Sequence, residues 1–118
     1  MLAALLHEMD LQQNYLKNQT VQSIYLGGGT PSLLNVSEIS SLIGKARSVF
    51  KVAENIECTL EANPDDISAE KVAELKEAGI NRLSIGIQSF HPDDLLFMNR
   101  GHDVAQAKKC IQTAIESG

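Results

Sequence analysis

The segment VQSIYLGGGTPS, residues 21–32, runs from a strand-like stretch straight into three consecutive glycines. Its first six residues have the usual length and composition of a β-strand. The same arrangement occurs twice more: IECTLE (56–61) leads into ANPD (62–65), and RLSIGIQ (82–88) leads into SFHP (89–92). The sequence therefore predicts three strands, each followed by an irregular polar segment.

Helical patterns surround these strands. Apolar residues recur at helical spacing over 2–16, 38–50, 69–78, 92–99 and 103–117. Ser37, Ser68 and Asp103 are expected as N-caps, and Gly79 is expected to end the third helix in left-handed backbone. Strands that alternate with helices favour parallel pairing, so the predicted fold class is α/β.

The two faces of the predicted strands differ in polarity. In 56–62, Ile, Cys, Leu and Ala share one face, while Glu, Thr and Glu share the other. A doubly wound sheet needs apolar residues on both faces. One apolar and one polar face instead favours helices outside and a ligand-holding interior, as in a barrel or a partial barrel. The alternative is a sheet whose polar face is simply solvated.

Composition limits the function classes. The chain has 118 residues, 43% hydrophobic, and a formal net charge of −5, which argues against a nucleic-acid partner. No apolar run is long enough for a transmembrane segment, and no secretory signal is seen. The two cysteines cannot by themselves hold a zinc ion or an iron–sulfur cluster. A reduced, cytoplasmic protein is the expectation.

The glycine run is the strongest sign of a binding site. Three missing side chains would let a ligand contact bare backbone, and ligands of parallel α/β folds bind at the carboxyl ends of strands. The run lacks the lysine of a phosphate-binding P-loop and the third spaced glycine of the dinucleotide fingerprint. The alternative is a tight turn.

Glu61 and Gln88 lie at predicted strand ends, and Arg100 follows the short helix predicted over 92–99. Glu61 could accept two hydroxyl donors, as from a ribose, or could be a solvated carboxylate. Gln88 is expected to point inward and to need a partner. Arg100 could bind a carboxylate or could simply be exposed. We expect His91 and His102 to be capping or surface residues, and Cys58 and Cys110 to pack in the core.

Taken together in order, four segments resemble one family. LGGGTPSL (26–33), EANP (61–64), SIGIQSF (84–90) and NRGH (99–102) resemble the radical S-adenosylmethionine (radical SAM) family, in the branch of oxygen-independent coproporphyrinogen III oxidase and its heme chaperone relative. EANP and SLL (32–34) favour the heme chaperone-like (HemW-like) branch over the oxidases. The resemblance implies an S-adenosylmethionine-binding part of a TIM-like radical SAM barrel.

The resemblance also implies the site residues. Gly28, Gly29 and Thr30 would meet the amino group of S-adenosylmethionine, and Glu61 would bind the same ligand through its ribose. Gln88 and Arg100 match residues that contact a second S-adenosylmethionine in the oxidase. No catalytic residue and no metal ligand is assigned to this chain.

One departure from the family is large. The Cys-x-x-x-Cys-x-x-Cys motif that holds the family's [4Fe-4S] cluster is absent. We therefore expect residues 1–118 to be the central part of a barrel, about half of it, lacking the cluster-binding N-terminal segment and the C-terminal part. Such a fragment is expected to be catalytically inactive and to self-associate through its open sheet edges.

Three functions remain open at this point. The first is a heme chaperone-like protein that binds S-adenosylmethionine and heme. The second is a true oxygen-independent coproporphyrinogen III oxidase, which converts propionates to vinyls by oxidative decarboxylation. The third is an unrelated barrel enzyme that uses the glycine-rich loop to bind phosphate.

Overall fold

The computed structural model describes residues 1–118, which form five helices and three strands. The helices are α1 (Leu2–Leu11), α2 (Val36–Val49), α3 (Ala69–Glu77), α4 (Pro92–Phe97) and α5 (Val104–Glu116). The strands are β1 (Val21–Leu26), β2 (Val52–Ala62) and β3 (Arg82–Ile85), and short 3-10 turns follow β1 (Pro31–Leu33) and β2 (Pro64–Asp66). None of the five helices combines the length and the hydropathy that a membrane-spanning helix needs.

The three strands form one parallel sheet in the order β1-β2-β3, as predicted. Tyr25 lies opposite Thr59 and Leu26 opposite Leu60, while Glu61 lies opposite Ser84 on β3. The register between β1 and β2 shifts between Val21 and Ser23. Because all strands run the same way, their carboxyl ends meet at one edge of the sheet, and β1 and β3 each leave one side unpaired.

The core lies on one face of the sheet. It consists of Ile39 and Ile43 from α2, Cys58 and Leu60 from β2, Leu75 from α3 and Ile80. The opposite face carries Tyr25, Thr59 and Glu61, of which Tyr25 and Glu61 are in contact with solvent while Thr59 is fully buried. One-sided helix packing confirms the α/β class and the helices-outside arrangement.

Helix ends follow the predicted signals with one correction. Ser68 and Asp103 cap α3 and α5 through their side chains. The N-cap of α2 is Asn35 and not Ser37: Asn35 Oδ1 accepts from the Glu38 backbone, and Glu38 returns a bond to the Asn35 backbone N–H. That reciprocal capping box satisfies two backbone donors, whereas Ser37 lies inside the first turn and donates to Asn35.

Gly79 ends α3 as expected. Its φ is +98°, its N–H donates to the Lys76 carbonyl, and the N–H of Ile80 donates to the Leu75 carbonyl. These two bonds form a Schellman motif, in which a left-handed residue lets the chain fold back over the last turn. Ile80 and Leu75 are both buried in the core, so the motif also directs the chain into β3.

Three element boundaries differ from the prediction. Helix α1 ends at Leu11, because residues 12–18 form turns that include left-handed Lys17 and Asn18. Strand β2 begins at Val52, since it pairs with β1 from Val21 onward. Strand β3 ends at Ile85, because the chain beyond Gly86 turns tightly away from the sheet.

Asn81 extends the sheet with its side chain. The N–H of Cys58 donates to Asn81 Oδ1 and Asn81 Nδ2 donates to the Ile56 carbonyl, both at 2.8 Å. The backbone N–H of Asn81 donates to the Cys58 carbonyl at 3.0 Å. The amide group therefore fixes the start of β3 against the middle of β2.

Asn81→Ala should lower the free energy of unfolding by about 1–3 kcal/mol, because it leaves a backbone donor and a backbone acceptor of β2 without partners. Asn55→Ala is the matched control, since Asn55 lies on β2, the strand that Asn81 binds, and its side chain is exposed. Urea unfolding followed by circular dichroism measures both. Equal midpoints for the two variants would contradict the role given to Asn81.

Candidate functional site

The three positions after β1 require glycine for two different structural reasons. A Cβ on Gly27 would lie 2.5 Å from Tyr25 Cε1 and 3.0 Å from Glu61 Cδ, so only glycine leaves room there. Gly28 and Gly29 have φ of +81° and +67°, and a Cβ on either would meet no atom within 4 Å. These two residues therefore present left-handed, open backbone to solvent, as a ligand-binding loop would.

Glu61 lies at the end of β2 with both carboxylate oxygens engaged. Tyr25 donates its hydroxyl to Oε1 at 2.7 Å, and the backbone N–H of Gly28 donates to Oε2 at 2.9 Å. The Tyr25 hydroxyl, followed by the Gly28 N–H, holds the pKa of this carboxyl below its usual value, against a smaller opposing effect of desolvation. Glu61 is therefore a fixed anion whose other lone pairs can accept from a ligand.

The loops after β1 and β2 are tied together. Ser32 is buried and donates its hydroxyl to Asp66 Oδ2 at 2.6 Å. Pro31 and Pro64, each at the start of a 3-10 turn, are buried as well. This contact holds the glycine-rich loop next to the end of β2, where Glu61 lies.

Arg100 reaches the same strand ends from the loop before α5. Its Nη2 donates to the Gly86 carbonyl at 2.9 Å and to Asn63 Oδ1 at 3.3 Å, while its buried Nε has no protein partner. Gln88 has a φ of +72° and is exposed. Gln88 lies beyond β3 and not on it, because the strand ends three residues earlier, but its side chain lines the space at the strand ends with Nε2 beside Gly86.

An open cavity of about 530 Å³ lies at this edge of the sheet. Five of the six residues expected from the sequence line it: Gly29, Thr30, Glu61, Gln88 and Arg100. The sixth, Gly28, does not line the cavity but donates to Glu61 beside it. Further lining residues are Ala62, Asn63, Ser84, Ile85 and Gly86. The structure thus brings the ends of all three strands to one cavity.

The histidines and cysteines lie partly where they were expected. His91 is exposed at the start of α4. His102 is not at the surface: it is buried, and its Nε2 lies 3.1 Å from the Ile87 carbonyl, which it helps to hold after β3. Cys58 and Cys110 are buried and free, as expected, and burial raises the pKa of both thiols.

Two contributors to the site, Tyr25 and Asn63, were not predicted from the sequence. Tyr25 was available from the pattern, because it alternates with the core-facing Ile24 and Leu26 and so lies on the same face as Glu61. Asn63 had no such signal, since its contact with Arg100 spans 37 residues and depends on how the loops fold.

The cavity suits a nucleoside-containing amino acid better than an iron–sulfur cluster. A fixed carboxylate, exposed glycine backbone and a guanidinium with an unpartnered buried Nε offer partners for hydroxyl, amino and carboxylate groups. No group of three or more His, Cys, Asp or Glu side chains could hold a metal ion. The residues present fit S-adenosylmethionine and do not fit a [4Fe-4S] cluster.

Comparison with known proteins identifies the chain's relatives. The family model described as the radical SAM superfamily matches residues 6–118. The heme chaperone HemW of Haemophilus influenzae is 40% identical over 113 residues, covering 94% of this chain and 30% of that protein. The Escherichia coli HemW is 36% identical over 110 residues, covering 93% and 29%. The chain therefore spans about 30% of the length of the curated relatives it matches.

A solved structure shows the same fold. Coproporphyrinogen III oxidase HemN from Escherichia coli, a radical SAM enzyme, superposes with a TM-score of 0.86 at 31% identity. The match covers 99% of this chain and 27% of HemN. Three parallel strands with helices outside thus correspond to part of a radical SAM barrel. The third function considered from the sequence, that of an unrelated barrel enzyme, is excluded because the chain matches the radical SAM family model and fold.

Proposed function

The chain belongs to the radical SAM superfamily, and on that premise we propose that its strand-end cavity binds S-adenosylmethionine in a heme chaperone-like protein. The observation that carries the proposal is the cavity itself, which collects Glu61, Arg100 and the glycine-rich loop from separate parts of the sequence. The HemW relatives support the heme chaperone branch. The fold similarity to HemN keeps the oxidase as the second candidate.

We assign one part of the ligand to each group. Glu61 accepts hydrogen bonds from the ribose hydroxyls, because it is anionic and already oriented by two donors. The backbone of Gly28, Gly29 and Thr30 binds the amino group through its carbonyl oxygens, since open glycine backbone lets the ligand approach closely. S-adenosylmethionine, when bound, supplies the reactive sulfonium-linked adenosyl group.

Gln88 and Arg100 form the far side of the cavity. Arg100 is held against Gly86 and Asn63, so its guanidinium is fixed rather than free to move with solvent. We propose that these two residues bind a carboxylate-bearing group, either of the same ligand or of a second S-adenosylmethionine. A cluster, where relatives carry one, would take no ligands from these 118 residues.

We propose further that residues 1–118 act as the central part of a barrel domain. The free sides of β1 and β3 support this, as does an apolar groove of about 220 Å³ beside β3, lined among others by Leu83, Ile85 and Ile115. A cytoplasmic location is also proposed, because both cysteines are free and thiols persist in reducing compartments.

The isolated chain should self-associate, since unpaired strand edges next to an apolar groove can pair with a second copy. Light scattering over a range of concentrations measures this, and lysozyme of similar mass serves as a monomer standard. A constant monomer mass across that range would contradict the expectation.

Glu61→Gln should weaken S-adenosylmethionine binding about tenfold, because the neutral amide replaces a charged acceptor with a weaker one. Glu57→Gln is the matched control: Glu57 lies on the same face of β2 four residues earlier and pairs only with exposed Arg82 and with Thr59. Titration followed by ¹⁵N–¹H NMR measures both. Equal affinities for the two variants would refute the assignment of Glu61.

Heme titration separates the chaperone from the oxidase. A full-length protein that contains residues 1–118 together with the cluster-binding segment should bind heme, seen as a saturable shift of the heme absorption band, and should not decarboxylate coproporphyrinogen III in a parallel assay under reducing, anaerobic conditions. The Escherichia coli oxidase HemN is the positive control for turnover. Decarboxylation at a rate comparable to HemN would replace the chaperone proposal with the oxidase.

A further inference from the structure

Tyr25 is oriented toward Glu61 rather than toward the core. Because Ile24 and Leu26 pack against the core, the side chain of Tyr25 lies on the opposite face of β1. The residue is 54% exposed, so burial does not explain the position of its side chain. The parallel register sets Tyr25 opposite Thr59, which places Glu61 two residues further along the neighbouring strand and within reach of the phenol.

Gly27 makes this contact sterically possible. Its own backbone is not left-handed, so glycine is not needed there for conformation. A Cβ would instead overlap the Tyr25 ring at 2.5 Å and crowd the Glu61 carboxyl carbon at 3.0 Å. The ring and the carboxylate therefore pack over backbone that carries no side chain. The first glycine makes room for the Tyr25 ring and not for the ligand.

We propose that Tyr25 is the positioning residue that holds Glu61 in its ligand-binding orientation, and that the absence of a side chain at Gly27 leaves the room its ring needs. The inference rests on the proposed function of Glu61 and extends it to two residues that contact the carboxylate but not the ligand. Tyr25 fixes Oε1 and the Gly28 N–H fixes Oε2, so each oxygen keeps a further lone pair. Two adjacent acceptors in a fixed plane match the two hydroxyls of a ribose.

A neutral donor is suited to this task. A lysine or arginine at position 25 would neutralise Glu61, whereas a phenol orients the carboxylate and leaves its charge in place. The hydrogen bond favours the anion, which agrees with the lowered pKa of Glu61. The only other charged group lining the cavity is Arg100, on its far side, where it is held by Gly86 and Asn63.

The pH dependence follows from these groups. Binding that needs the Glu61 anion is complete well above the pKa of Glu61 and is lost as the pH falls through it. Removing the Tyr25 hydroxyl raises that pKa toward its ordinary value. The acid limb of the binding profile should therefore move to higher pH in a Tyr25 variant, while a variant that only disturbs folding would lose affinity equally at every pH.

The test compares Tyr25→Phe with Tyr15→Phe. Phe keeps the ring and removes only the hydroxyl, and Tyr15, exposed in the turn after α1, is the chain's other tyrosine. Carbon-detected NMR of the Glu61 carboxyl gives its pKa in the ligand-free chain. S-adenosylmethionine titrations at several pH values give the affinity profile. Gly27→Ala, which displaces the ring, is the second variant.

Tyr25→Phe should raise the Glu61 pKa, shift the acid limb of binding upward and weaken binding about two- to tenfold at neutral pH. Gly27→Ala should change the same quantities in the same direction, and Tyr15→Phe should change none. An unchanged Glu61 pKa in Tyr25→Phe overturns the inference, as does a raised pKa with an unaltered binding profile. A wild-type chain that binds no S-adenosylmethionine, with a Glu61 pKa that still responds to Tyr25, instead overturns the proposed function and leaves Tyr25 a structural contact.

Discussion

The register between β1 and β2 determines which side chains of these two strands face the cavity and places Tyr25 within reach of Glu61. With Tyr25 opposite Thr59 and Leu26 opposite Leu60, the apolar side chains of both strands face α2 and α3, and the polar ones face away. A slip of one residue would move Tyr25 to the core side and the hydroxyl contact with Glu61 would be lost. Core packing therefore fixes the geometry of the site indirectly, because the same burial that stabilises the sheet also sets its register.

The parallel arrangement of the strands then brings the binding groups together at one edge of the sheet. All three strands end at one edge, so residues far apart in sequence meet there without any long-range ion pair to hold them. Hydrogen bonds refine the arrangement: Ser32 donates to Asp66 and ties the loops after β1 and β2, and Arg100 donates to both Asn63 after β2 and Gly86 after β3. The binding groups are thus placed by backbone topology and oriented by their immediate neighbours.

The sequence was most informative where local physics decides the structure. Strand alternation predicted the buried face of β2, and Gly79 predicted the end of α3, because side-chain period and left-handed backbone are local properties. Expectations failed where tertiary contacts decide: β3 ends before Gln88, and His102 is buried against Ile87. The α2 cap moved to Asn35 because a capping box there satisfies more donors than Ser37 could.

The six residues predicted for the site lie close together for a related reason. The glycines and Glu61 stand at strand ends in the sequence, and parallel topology brings those ends together, while Arg100 reaches them from the loop after α4. The role of Gly27 was not visible, since it depends on the path of the Tyr25 ring across the neighbouring strand. One glycine run therefore contains two functions, steric for the first residue and conformational for the next two.

The most direct measurement of the account is NMR mapping of S-adenosylmethionine on the ¹⁵N-labelled chain through its glycine amides. A binding site at the strand ends predicts saturable shifts at Gly28, Gly29 and Gly86, which lie beside the cavity, and none at Gly44 on α2 or Gly79 after α3. Shifts of equal size at Gly44 and Gly79, or no saturable shift at Gly28 and Gly29, would contradict a binding site at the carboxyl ends of the strands.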